Sequence, residues 1–444
     1  IIINLRKLFI IIFFTSILIL VKLMNKFNEN LIDLLKKGTC IFTCIEEIKK
    51  ILINNGYREL KEDKEWNLDQ NKYFVIRNDA SLIAFNLNQN YNKFKIICTH
   101  GDTPSFNIKP NPEYYENGYL KLNIAPYGGI LNYGFMDRPM SIAGRIVTKN
   151  KNIYEKHIID LKETVAIIPS IAIHQNDSAN SNLDLNTEID LMPIISQNKS
   201  ETLENLIQNK TKIKNKLFEY DLFLYNKEEP VIINNEFLAS PRIDNLSCTY
   251  AGIEAFLKEK GKDINLFVVF NSEEIGSNTL EGADSNFLID TLKKICVYLD
   301  IDLTTTLNNS IVISADNTHA RHPNHDELSD HTNTPSLNSG IMIMKEINSS
   351  TNSISSTIFK HICESEKIKY SYYTSRNDYA TGSTLAGASL KHLSINSLDI
   401  GLVMLAMHSS FELIGIKDTY LLYKALKKFY ELEYNIKDNE INFL

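Results

Sequence analysis

The 444-residue chain predicts an α/β fold interrupted by a β-rich block. Three observations predict it. Apolar runs of strand length recur in the first and last parts of the chain, each running into His, Asp or Glu. Segments with helix-spaced apolar positions accompany them. After Lys109-Pro110-Asn111-Pro112 the pattern changes to extended segments punctuated by Tyr, Gly and Pro, which continue to about Glu236.

In chain order, residues 1–23 come first. Arg6-Lys7 precedes Leu8-Phe9-Ile10-Ile11-Ile12-Phe13-Phe14, and Ile17-Leu18-Ile19-Leu20-Val21 follows, as in a signal peptide or membrane anchor. No small-residue cleavage site accompanies this leader. The expectation is that Met24 is the true start and the leader a gene-model extension; the alternative is a real anchor. Leu31, Leu34, Leu35, Ile45, Ile48, Ile51 and Leu52 have helical spacing, interrupted near Gly38-Thr39, and Gly56 suits a helix C-cap. Strands are expected at Tyr73–Arg77, Ser81–Asn86 and Lys95–Thr99. This first part spans 24–108. The β-rich part, 109–237, carries strand signals at Arg145–Val147, Val165–Ile168 and Val231–Ile233. Within it, residues 176–215 are rich in Asn, Ser and Lys, with a helix from about Glu201; Lys210, Lys212, Lys214 and Lys216 are read as its solvated face. The α/β alternation resumes over 238–444 and ends in a helix over Asp418–Glu433.

The chemistry-bearing feature is Phe270-Asn271-Ser272-Glu273-Glu274-Ile275-Gly276-Ser277, which follows the buried-strand pattern Ile264-Asn265-Leu266-Phe267-Val268-Val269. A pair of carboxylates at a strand end suits a cleft at the carboxyl edge of an open sheet, one binding metal while its neighbour faces a water. Most Glu-Glu pairs are only solvated surface, but this one has company. Phe94–Thr99 leads to His100-Gly101-Asp102, Glu236–Arg242 to Ile243-Asp244-Asn245, Ile311–Ala315 to Asp316, and Gly401–Met407 to His408. Histidines, carboxylates and a separate base are what a hydrolytic two-metal site requires. Asp102, two residues after His100, suits a partner for the imidazole's second nitrogen.

Taken with Tyr127-Gly128-Gly129, Asp137-Arg138, Ile168-Pro169-Ser170-Ile171-Ala172-Ile173-His174, Ser314–Ala320, Ser375-Arg376-Asn377-Asp378 and Leu405–Ser409, these segments closely resemble the aspartyl aminopeptidase and aminopeptidase I family of dinuclear zinc exopeptidases. The resemblance runs from about Met24 to the C-terminus. It implies a central mixed sheet flanked by helices, with the inserted β-rich block serving as a dimerisation domain. It also implies two Zn²⁺ ions per subunit (Mn²⁺ or Co²⁺ being possible substitutes). One ion would be held by His100, Asp244 and Asp316, and the other by Asp244, Glu274 and His408. Glu273 would be the general base, and His174 and His319 would contact substrate, His174 in a neighbouring subunit's site. Substrates would be small peptides with a free N-terminus, and dimers would build a closed shell of twelve.

One departure concerns specificity. Aspartyl-specific relatives hold the acidic side chain with a lysine after the strand that here reads Gly340-Ile341-Met342-Ile343-Met344-Lys345. An ungapped reading puts Met344 in that place and Lys345 one step along, on the opposite strand face unless a bulge turns it inward. Preference for Asp or Glu and preference for a neutral residue are both open. Gly101 also stands where many relatives have a β-branched residue.

Composition bounds the rest. With 43% hydrophobic and 23% charged residues the chain is an ordinary globular one. A net charge of −7, with no basic stripe, argues against a nucleic-acid partner. Cys40, Cys44, Cys98, Cys248, Cys296 and Cys363 form no CxxC pair, which points to a reducing, cytoplasmic compartment and, with the start at Met24, to no membrane partner. His319, His322, His325 and His331 could be read as a separate metal tract, but two of them match the family's own loop after Asp316. Two rival functions stand beside the peptidase: a dinuclear zinc deacylase of N-acyl amino acids, and a catalytically inactive scaffold shell.

Overall fold

The computed structural model describes residues 21–181, 184–347, 349–379, 382, 384–437 and 439–444. The leader at 1–20 lies outside them; residues 21–23 already belong to a helix, α1, that runs through residue 37. Among the described residues, no helix is long and apolar enough to cross a membrane. The break at Gly38-Thr39 separates α1 from α2 (Ile41–Asn54), and Gly56 follows at φ +81.

The first part supplies β1 (Arg58–Leu60), β2 (Lys72–Arg77), β3 (Ser81–Leu87) and β4 (Phe94–His100). The middle part supplies β5 (Ser105–Glu116), β6 (Tyr119–Tyr127), β7 (Met140–Asn150), β8 (Ile153–Asp160), β9 (Ile194–Ser196), α3 (Leu203–Lys210) and β10 (Lys216–Asn226). These six strands form a sheet of their own, in the order β8-β7-β10-β5-β6-β9, around a separate apolar cluster that includes Phe106, Ile142, Leu222 and Leu224. That sheet starts at Ser105, ahead of the break read at residue 109.

The last part begins with β11 (Val231–Ile233), β12 (Phe237–Ser240) and α4 (Ile243–Lys258). It continues through β13 (Ile264–Phe270), α5 (Phe287–Leu299), α6 (Leu303–Asn308), β14 (Ile311–Ala315), β15 (Thr318–His319) and β16 (Ile341–Met344). It ends with α7 (Ser353–Ser365), β17 (Tyr370–Tyr373), α8 (Leu385–Leu393), β18 (Asn396–Gly401), β19 (Val403–Leu405), β20 (Glu412–Gly415) and α9 (Asp418–Glu431), followed by a small terminal hairpin. The main sheet has nine strands in the order β1-β2-β3-β13-β4-β14-β18-β16-β17. It is mixed: β13, β4, β14 and β18 run parallel, while β3 and β16 pair antiparallel to this group. Every residue of β4, β13 and β14 is buried, because helices and loops cover both faces, and this makes their sequences continuous apolar runs.

The exception in β4 is Lys95, whose ammonium pairs with Asp263 at 2.9 Å and donates to the carbonyls of Tyr430 and Leu432. Carbonyls at the end of a helix lack intrahelical partners, so this buried cation fastens α9 to the sheet edge away from His100.

Three sequence readings need correction. Val231–Ile233 is a strand, but it pairs with β12 at the edge of a five-stranded sheet, β11-β12-β20-β19-β15, rather than with the middle block. Val165–Ile168 makes only isolated bridges, from Ala166 to Met140 and from Ile167 to Ile194. The helix near Glu201 is capped by the Thr202 hydroxyl and ends at Lys210, so Lys212, Lys214 and Lys216 do not share its face.

Candidate metal centre

Register brings the candidate ligands together. Phe270 at the end of β13 lies opposite His100 at the end of β4, and β14, the parallel neighbour of β4, ends one residue before Asp316. Three of the strand-end segments therefore meet at one edge of the main sheet. The other two come from the five-stranded sheet. Asp244 follows β12 and His408 follows β19, and β20 pairs with both strands.

The outcome is two contiguous clusters, His100–Glu273–Asp316 and Asp244–Glu274–His408. His100 Nε2 is 3.3 Å from Asp316 Oδ1 and 3.7 Å from Asp244 Oδ1. His408 Nε2 is 3.3 Å from Glu274 Oε2 and 3.7 Å from Asp244 Oδ2. Asp244 thus offers one oxygen to each imidazole. Glu273 and Glu274 diverge as expected, though on a short 3₁₀ turn, Glu273–Ile275, rather than on extended backbone.

The surroundings fix these groups. Asp102 behaves differently from the simple expectation. His100 Nδ1 lies nearer the Asp102 carbonyl, at 3.1 Å, than its carboxylate, at 3.4 Å. That carboxylate accepts the Tyr127 hydroxyl at 2.9 Å and the backbone N–H groups of Glu273 and Glu274 at 3.3 and 3.2 Å. It orients the Glu pair as much as the histidine. Gly129 places its carbonyl 3.0 Å from His408 Nδ1. Gly128, at φ +79, lies so close to Glu274 that a Cβ there would stand 3.1 Å from the Glu274 Cβ. The room a side chain would take at Gly101 is filled by Ile41, Cys44 and Val269.

Sequence reasoning missed Glu412. It is almost fully buried, and it accepts the backbone N–H of His408 at 2.9 Å and of Asp244 at 3.1 Å, so one carboxylate holds both loops. Asp137-Arg138 turns out to be a fastening: the Asp137 carboxylate accepts from Ser170, and Arg138 pairs with Glu228.

Two clustered imidazoles and at least four carboxylates fit divalent cations by donor type. A second observation agrees. Asp244 Oδ1 and Glu274 Oε1 are buried without a hydrogen-bond partner, a costly arrangement unless a cation satisfies them. Burial, and then neighbouring carboxylates, hold Asp244 and Glu274 well above the usual carboxylate range. Burial pulls His100 down, but Asp316 and Asp102 more than offset this and raise it.

Burial also pushes Glu273 and Glu412 up to about 8 from 4.5, with Asp316 and Asp102 adding to the effect on Glu273. A carboxyl whose folded pKa is raised contributes stability below its unfolded pKa and loses it as pH rises through the folded one. EDTA-treated protein should therefore melt lower at pH 9 than at pH 6, and added zinc should close the gap. A metal-free melting temperature that is flat or rising over that range would contradict the cluster's electrostatics.

The metal clusters open into a cavity of about 950 Å³. His319 lines it, together with Met344, Glu346, Tyr373 and Arg376. His174 sits exposed on the middle sheet's loop, and neither it nor Lys345 lines this cavity. Among the described residues, His322, His325 and His331 form no metal-holding group of their own.

Two adjoining His-carboxylate clusters at the meeting of two sheet edges are the arrangement a metal-dependent hydrolase needs. Comparison with known proteins gives the particular family. The profile described as aminopeptidase I zinc metalloprotease (M18) matches residues 34–430. The Clostridium novyi protein named Probable M18 family aminopeptidase 2 is 38% identical over 428 residues, 92% of this chain and 99% of that one. A chain in the complex of Ape4 and Nbr1 superposes with a TM-score of 0.86 at 28% identity, covering 92% of this chain and 86% of that one. The S. cerevisiae mApe1 dodecamer shares the fold, with a TM-score of 0.79 at 23% identity, covering 91% of this chain and 96% of that one. The chain belongs to the M18 family of zinc aminopeptidases. It is a metallopeptidase, and so a hydrolase.

Proposed function

We propose that the two clusters hold a pair of zinc ions and that the enzyme removes single N-terminal residues from small peptides, with Glu273 as general base. The observation that carries this reading is Asp244, whose two oxygens face His100 and His408 at 3.7 Å each. His100, Asp244 and Asp316 would hold one ion, and Asp244, Glu274 and His408 the other. The ions would supply Lewis acidity at the scissile carbonyl and acidify water; Mn²⁺ or Co²⁺ could serve in the same donor set.

The chain's residues do the rest. Glu273 takes a proton from the attacking water and passes it to the leaving amine. Asp102 and Tyr127 hold the Glu pair in place. His319, lining the cavity beside the clusters, donates to the developing oxyanion. The structure described as a dodecamer is consistent with assembly of twelve subunits, and a closed shell of that size would admit only short peptides. Exposed Ile171 and Ile173 beside His174 suit a dimer contact that would bring His174 to a neighbour's cavity. The six buried, free cysteines suit a reducing, cytoplasmic setting.

The test is hydrolysis of aminoacyl p-nitroanilides by metal-replete protein, with EDTA and N-acetylated controls. EDTA-sensitive release from free-amine substrates alone is expected. Acetate freed from N-acetylated amino acids, with no p-nitroaniline from any free-amine substrate, would favour the deacylase, and no product from either class would favour an inactive shell.

A further inference from the structure

The cavity wall beyond the metals indicates which N-terminal residue is accepted, given the aminopeptidase reading. With the amine and scissile carbonyl at the clusters, the side chain of the first residue must run into the remaining cavity. Strand β16 forms part of that wall. Met344 is buried against Ala320, Tyr373 and Val403 and lines the cavity. Pairing continues one residue further, the Lys345 N–H donating to the Tyr373 carbonyl at 3.0 Å. Extended backbone alternates its side chains, so Lys345 is exposed while Glu346 returns to the cavity. No bulge turns the lysine inward. The cavity wall here carries a thioether followed, two residues on, by a carboxylate.

Glu346 is also placed to act. Its Oε1 accepts the Ser375 hydroxyl at 2.8 Å and the Ser375 N–H, which orients the carboxylate. Among the described residues no Lys, Arg or His forms an ion pair with it. Two basic groups lining the same cavity are otherwise engaged. Arg376 is held by both oxygens of Asp378, at 2.9 and 2.6 Å, and by the Glu327 carbonyl, while His325 pairs with Glu327 at 3.1 Å. Met344 and Glu346 lie about 7 Å apart along the strand, the reach of a long unbranched side chain. An apolar stem would lie on Met344, and a cationic head would meet Glu346.

We infer that Glu346 selects a basic N-terminal residue, lysine or arginine, and disfavours aspartate and glutamate. A charge-assisted hydrogen bond of this kind corresponds to roughly 10- to 100-fold in kcat/KM. The experiment measures kcat/KM for Lys, Arg, Leu, Asp and Glu p-nitroanilides with the zinc-loaded full chain. Lys and Arg should exceed Asp and Glu at least ~10-fold. Glu346→Gln, nearly isosteric, should lower the Lys-to-Leu ratio by ~10-fold or more, and Glu346→Lys should shift preference toward Asp and Glu. Lys345→Ala, on the outward face, should leave the ratio unchanged. Wild-type preference for Asp or Glu, or a Lys-to-Leu ratio indifferent to Glu346→Gln, would overturn the inference while leaving the aminopeptidase reading intact. Release from none of the five would overturn both.

Discussion

Glu273→Gln removes nearly all turnover and leaves metal content close to that of the parent protein. The amide keeps the shape of the side chain but cannot accept and return a proton, so a fall of about 10²–10⁴-fold in kcat is expected. The measurement is decisive because the geometry allows a second role. Glu273 lies in one cluster with His100 and Asp316, close enough to be a ligand itself. A ligand and a base respond differently. If Glu273 held metal, the amide variant would lose an ion, and activity would return at high zinc concentration. If it carries protons, metal analysis is unchanged and no zinc concentration restores the rate. A Glu273→Gln enzyme with substantial activity would exclude both roles.

Asp244→Asn should lose both ions together, whereas Glu274→Ala should lose chiefly one. Among the described residues, only Asp244 has an oxygen toward each imidazole, His100 on one side and His408 on the other. Activity of Asp244→Asn should fall to background. Its metal-free stability should move the other way. Burial and Asp316 raise the Asp244 carboxyl well above its ordinary range, so the buried group destabilises the metal-free fold at neutral pH. Replacing it with a neutral amide relieves that cost. Metal-free Asp244→Asn should therefore melt at or above the metal-free parent, and zinc should raise its melting temperature far less. A variant that melts well below the metal-free parent would show that Asp244 is chiefly structural. The backbone contribution is controlled, because Glu412 binds the N–H of residue 244 whatever the side chain.

Much of the site was legible because its supports are buried on both faces. β4, β13 and β14 read as largely apolar runs, and the His, Glu and Asp residues at or just beyond their ends are conspicuous by contrast. Legibility failed where pairing partners decide the outcome. Val231–Ile233 looks the same whether it edges the middle sheet or the five-stranded one, and the partner that settles it, β12, is no more distinctive in sequence. Val165–Ile168 has strand-forming residues but finds only single bridges. The facing of Lys345 depends on the phase of β16 against β17, which sequence alternation suggests and the Tyr373 contact fixes. Glu412 was invisible for another reason. It acts on backbone N–H groups, which any residue carries, so nothing near it in sequence marks its role.

The contact between Gly129 and His408 has a consequence for the timing of activity. The imidazole is oriented by a carbonyl just after β6, while the histidine itself lies 279 residues further along the chain. Synthesis proceeds from the N-terminus, and earlier parts fold first. When His100, Asp244 and Glu274 have emerged from the ribosome, the second cluster still lacks its histidine. On the proposed ligand set, translation must pass His408 before the second cluster can hold an ion.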